Sequence, residues 1–117
     1  MSTFFRRLFY TTTPAMSEAA KQKAQKLIDE NAVMVFSKSY CPYCTATKSK
    51  LKDIGAKYNV LELDQIDDGS AIQDALQEIT GQRSVPNIFI GQKHIGGNSD
   101  FQALGNSESL IKAAGAL

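Results

Sequence analysis

A chain of 117 residues, 43% hydrophobic and 21% charged, is long enough for one compact α/β domain and too short for two. Its net charge of +1 supplies no basic field for nucleic acid, and no run approaches the eighteen or so apolar residues of a membrane span, so a soluble protein is expected. The two cysteines, three positions apart, close a loop too small to staple distant elements; this excludes a secreted disulfide scaffold and points to a reducing compartment.

The first fifteen residues, MSTFFRRLFYTTTPA, carry Arg6 and Arg7 among hydroxyl and aromatic side chains, and no acid precedes Glu18. This is the composition of a mitochondrial transit peptide, and the arginines split the apolar stretch that a secretory signal needs. Met16 opens a second, self-sufficient beginning. The expected organisation is a targeting segment over 1–15 and one domain over 16–117, in the mitochondrial matrix or, from a start at Met16, in the cytoplasm.

From Ser17 onward the predicted elements alternate. Ser17 is expected to cap a helix whose Ala24, Leu27 and Ile28 form an apolar stripe ending near Glu30. AVMVFS (32–37) reads as a buried central strand. A basic helical stretch, TATKSKLKDI, follows the cysteines and stops at Gly55. KYNVLELD (57–64) is a second strand, and GSAIQDALQEITG a helix with Ser70 as cap and Gly81 just past its end. NIFI (87–90) and KHI (93–95) flank Gly91-Gln92, a hairpin signal. Gly96 and Gly97 break the second of these strands, and DFQALGNSESLIKAAGAL supplies one or two closing helices. The strand–helix–strand unit favours a parallel pair and the hairpin an antiparallel one, so a mixed four-stranded sheet with helices on both faces is predicted.

Cys41 falls just after a strand and at the start of a helix, where unpaired N–H groups and the positive dipole end favour a thiolate. Pro42 suits the first helical turn, and Cys44, three residues on, lies on the same helical face within disulfide reach. A metal reading fails on counting: a closed zinc site needs four ligands, and the chain offers two cysteines and the lone His94, which reads as an ordinary hairpin residue. No metal is expected. An iron–sulfur cluster bridging two molecules remains an alternative, as does a thioredoxin-type reductase.

CPYC (41–44), IQDAL (72–76), GQRSVPNIFI (81–90) and HIGGNSD (94–100), in that order and spacing, resemble the dithiol glutaredoxins of the thioredoxin superfamily. The likeness covers about residues 17–117. It implies a thioredoxin-like α/β fold and a glutathione-dependent thiol–disulfide oxidoreductase, monomeric, acting on glutathionylated and disulfide-containing proteins, with Cys41 as nucleophile and Cys44 as resolving thiol. The resemblance also implies a glutathione site. Lys38 would stabilise the thiolate and meet the glycine carboxylate, with Gln73 and Arg83 near the same group. By themselves, Gln73 reads as a helix-surface residue and Arg83 as a charge near a helix C-terminus. Ser84, Val85 and Pro86 form the middle of the implied site, with the proline cis and Val85 extended so that its backbone pairs with the ligand as an added strand would. Gly97, Asn98, Ser99 and Asp100 would hold the γ-glutamyl end, and Tyr43, bordering the thiol, would pack beside bound glutathione.

Overall fold

The computed structural model describes residues 14 to 117; the expectation for the targeting segment falls almost wholly outside them. The chain runs α1 (Pro14–Glu30), β1 (Val33–Ser37), α2 (Pro42–Ile54), β2 (Asn59–Glu62), a 3-10 turn (Leu63–Gln65), α3 (Gly69–Thr80), β3 (Asn87–Ile90), β4 (Lys93–Gly96), α4 (Asn98–Ala103) and α5 (Ser107–Ala113). The sheet order is β2-β1-β3-β4, with β1 parallel to β2 and antiparallel to β3, and β3 antiparallel to β4. This is the mixed thioredoxin-like sheet anticipated above.

The alternating direction of side chains along the wholly buried β1 decides which helices cover which face. Met34 and Phe36 point to one side, where Phe89 joins them under Ala20, Ala24 and Ile28 of α1 and Ile72, Ala75 and Leu76 of α3. Val33 and Val35 point to the other, with Ile88 and Ile90, against Leu51 of α2, Phe101 of α4 and Ile111 of α5. Burying each of these large side chains contributes on the order of 1.5–3 kcal/mol, which favours this register over a one-residue slip that would exchange the two sets and spoil the packing of both faces. At the hairpin, Gly91 and Gln92 both have positive φ (57° and 65°), the pattern of a type I′ turn, whose twist matches that of the flanking strands.

Three boundaries differ from expectation. The first helix begins at Pro14, so Ser17 lies inside it and is not its cap. Asp68 occupies the cap position of α3, leaving Ser70 in the first turn. The second strand is only four residues long, because Leu63–Gln65 turns into a 3-10 helix that leads into α3. The closing segment forms two helices.

Candidate active site

Cys41 is the N-cap residue of α2, with extended backbone (φ −86°, ψ 119°) and Pro42 immediately after it. Its amide donates to the Lys38 carbonyl at 3.1 Å, closing the turn that leads out of β1. The Asp64 carboxylate braces that turn by accepting from the Ser39 amide at 2.9 Å and from the Ser39 hydroxyl. Those bonds, helped by the charge of Lys38, hold Asp64 below the ordinary carboxylate range.

Opposing influences act on the Cys41 thiol. Partial burial pushes its pKa up, but the N–H groups of Cys44 and Tyr43, the Cys44 thiol and the charge of Lys48 together draw it below the ordinary 9.0. Cys44 is fully buried, and that burial raises its pKa, only partly offset by the Ser37 hydroxyl and the Lys38 amide. The first thiol is therefore the more accessible and the more acidic of the pair. The second is buried and holds its proton more tightly.

Beside Cys41 runs a groove of about 400 Å³, lined by Tyr43, Gln82, Ser84, Val85, Pro86, Gly97, Asn98, Ser99 and Asp100. Cys41 Sγ lies 3.9 Å from the Val85 carbonyl oxygen at its mouth, and the Val85–Pro86 bond is cis. At the far end the Asp100 carboxylate accepts the Gly97 N–H at 2.9 Å. Gly96 is required here: its φ is +120°, and a Cβ would run into the Asp100 carboxylate. The two walls are tied together. The buried Thr47 hydroxyl of α2 donates to Asn98 Oδ1 at 2.9 Å, and Lys50 Nζ donates to the Phe101 carbonyl at 3.0 Å while lying 4.4 Å from that ring's centroid.

The site residues implied by the sequence motifs include every lining residue of the groove except Gln82. Lys38, Gln73 and Arg83 lie outside the groove lining. Arg83 is held by Asp74, with Nε donating to Oδ1 at 3.0 Å, and its Nη2 donates to the Ser70 hydroxyl at 3.4 Å. Gln73 is not a surface residue: it is buried, and its Nε2 donates to the Arg83 carbonyl at 3.0 Å. The cation bearing on Cys41 is Lys48, which sequence reasoning missed, although its positions four and seven residues after the cysteines are a helical-face signal. Gln82 lies within the motif GQRSVPNIFI, but the resemblance gives it no role there. Among the described residues, no group of three or more His, Cys, Asp or Glu side chains is arranged to hold a metal ion, and no helix is long and apolar enough to cross a membrane.

The glutaredoxin family model matches residues 33–95. A glutaredoxin from Ricinus communis is 55% identical over 92 residues, which span 79% of this chain and 90% of that protein. The protein named Glutaredoxin-C2 from Arabidopsis thaliana is 48% identical over 101 residues, 84% of this chain and 91% of its own length. The crystal structure of a buckwheat glutaredoxin–glutathione complex superposes with a TM-score of 0.86 at 45% identity, covering 90% of this chain and 98% of the other. An accessible, activated N-cap thiol over a buried one, on this sheet and with these relatives, shows that the chain belongs to the glutaredoxin family of glutathione-dependent thiol–disulfide oxidoreductases.

Proposed function

We propose that the groove beside Cys41 holds the glutathionyl part of a mixed disulfide and that the two cysteines divide the chemistry. The observation that carries this reading is the asymmetry of the pair: the Cys41 pKa is lowered at a groove mouth, and that of the wholly buried Cys44 is raised. In the first route the Cys41 thiolate attacks the glutathione sulfur of a protein–glutathione disulfide. The S–S bond breaks, the protein leaves as its thiolate, and a Cys41–glutathione disulfide forms. A second glutathione thiolate attacks that glutathione sulfur, releasing glutathione disulfide and restoring the Cys41 thiolate. In the second route Cys41 attacks a protein disulfide. Cys44, deprotonated, then attacks Cys41 Sγ and expels the second protein thiolate, leaving a Cys41–Cys44 disulfide that two glutathiones reduce. A stabilised Cys41 thiolate is the better leaving group when the second glutathione attacks the Cys41–glutathione disulfide.

Ligand placement follows from charge and backbone. The extended Val85 offers its backbone to the cysteinyl unit, with Ser84 and Pro86 on either side and Tyr43 against the ligand. The first-turn amides of Asn98 and Ser99 next to Gly97 suit the γ-glutamyl carboxylate, and Asp100 suits its ammonium. The glycine carboxylate lies toward Lys38 and Arg83. Gln73 acts there through the Arg83 carbonyl it braces. Asp100→Lys and Lys38→Glu each set a like charge against one end of glutathione, so each should raise KM for a glutathionylated peptide by roughly ten- to hundredfold, as expected for a charge-assisted contact. Unchanged KM in both variants would overturn this placement, and substantial turnover by Cys41→Ser would overturn the assigned nucleophile.

Glutathionylated and disulfide-containing proteins, met by a monomer in the mitochondrial matrix and the cytoplasm, complete the reading. Its support is the basic, acid-free stretch 1–15 followed by Met16. A fluorescent reporter fused to residues 1–15 should enter mitochondria; a diffuse cytosolic signal would count against targeting.

A further inference from the structure

We propose that Gln82 is a positioning residue that sets the register in which an extended ligand docks on Val85. The inference rests on the reading that the groove takes the glutathionyl group. Gln82 Nε2 donates to the Ser84 carbonyl at 3.1 Å and to the Pro86 carbonyl at 3.0 Å. A side-chain amide nitrogen has two hydrogens, so these two bonds use both. The carbonyls on either side of Val85 each spend a lone pair on Gln82, while the Val85 carbonyl accepts from the Cys41 thiol at 3.9 Å. Once Cys41 is a thiolate or a mixed disulfide it has no hydrogen to give, so the Val85 carbonyl becomes the one of the three with no protein donor, and a ligand N–H arriving along the groove pairs with it in one register.

The amide is aimed from an anchored backbone. The Gln82 N–H donates to Thr80 Oγ1 at 3.1 Å, and the Gln82 carbonyl accepts from Asn87 Nδ2 at 3.2 Å. Asn87 is wholly buried, and its Oδ1 meets His94 Nε2 at 2.8 Å. A continuous hydrogen-bond chain thus runs from β4 to the groove rim. A ligand displaced along the rim would carry its two charged ends away from Asp100 and from Lys38 and Arg83. Register is therefore what lets the groove distinguish glutathione from a shorter thiol.

The test is the ratio of kcat/KM for one peptide carrying glutathione to that for the same peptide carrying cysteine, which cannot span the groove. Gln82→Met keeps the side-chain length without the donors and should lower that ratio by roughly five- to tenfold through KM for the glutathionylated peptide, the size of one or two lost hydrogen bonds. Gln82→Glu, whose ionised carboxylate has no hydrogen to give, should lower it at least as far, and serves if the methionine variant folds poorly. A loop that is merely loosened lowers both kcat/KM values together and leaves the ratio unchanged; that result would overturn the proposal. Failure of the groove reading is recognised separately: the parent protein would show no preference for the glutathionylated peptide. A parent preference eroded by Asp100→Lys but untouched by both Gln82 variants would remove the register role alone.

Discussion

Lys48 Nζ of α2 and Glu62 Oε2 at the end of β2 form an ion pair at 3.0 Å, with both side chains about three-quarters buried (24% and 23% exposed). Glu62 Oε1 is buried without a hydrogen-bond partner among the described residues. The same Lys48 bears on Cys41 from two helical turns away, so Glu62 moderates the field that the thiolate feels. The two partners should therefore act on Cys41 with opposite signs. Lys48→Met raises the midpoint of the pH–alkylation profile of Cys41, whereas Glu62→Gln lowers it by leaving the lysine charge unopposed. Each variant should also lose about 1–3 kcal/mol of stability, since each leaves a largely buried group unpaired. Shifts of the same sign, measured by iodoacetamide rates across pH, would show that the pair is only structural.

Cys44 is needed by one route and competes with the other. Cys44→Ser should keep or exceed parental reduction of glutathione mixed disulfides, because no intramolecular disulfide diverts the Cys41–glutathione intermediate. It should lose most activity on protein disulfides that need a dithiol. Assays on one substrate of each kind check this, and a fall in deglutathionylation as deep as that of Cys41→Ser would assign Cys44 to the core reaction.

Gly69, the first residue of α3, packs against backbone: a Cβ there would overlap the Leu63 carbonyl of the 3-10 turn. Backbone on both sides cannot yield as a flexible side chain can. Gly69→Ala should cost about 1–3 kcal/mol in urea unfolding, as overpacking does. Gly105 provides the contrast, because a methyl group added there would meet nothing within 4 Å and its φ is not positive. Gly105→Ala should leave stability unchanged or slightly raised.

Partial burial lowers the His94 pKa from 6.5, opposed by the charge of Asp100. The unfolded chain therefore takes up this proton at higher pH than the folded one. Stability from the neutral imidazole is complete above about pH 6.5 and is lost as pH falls through the lowered folded value. Thermal melts between about pH 5 and 8 should show this decline, and His94→Gln should flatten it. A parallel decline in the variant would assign the acid sensitivity to other groups.

The sequence by itself determined the order of elements, the buried central place of β1, the hairpin at Gly91-Gln92 and the place of Cys41 at a helix start. All of these follow from local rules: a continuous β-rich apolar run, backbone freedom at glycine, and the short spacing of CPYC. Motif likeness added the residues of the groove and the cis bond before Pro86. Tertiary structure alone decided what depends on partners far along the chain. Cys41 meets the Val85 carbonyl across 44 positions, and Ser39 meets Asp64 across 25. Burial of Gln73, the opposition of Lys48 and Glu62, and the grip of Gln82 on two carbonyls depend on sheet register and on the rotation of each helix about its axis. No local pattern encodes those, because a side chain's partner is chosen by which elements the core brings together and not by its own neighbours in sequence.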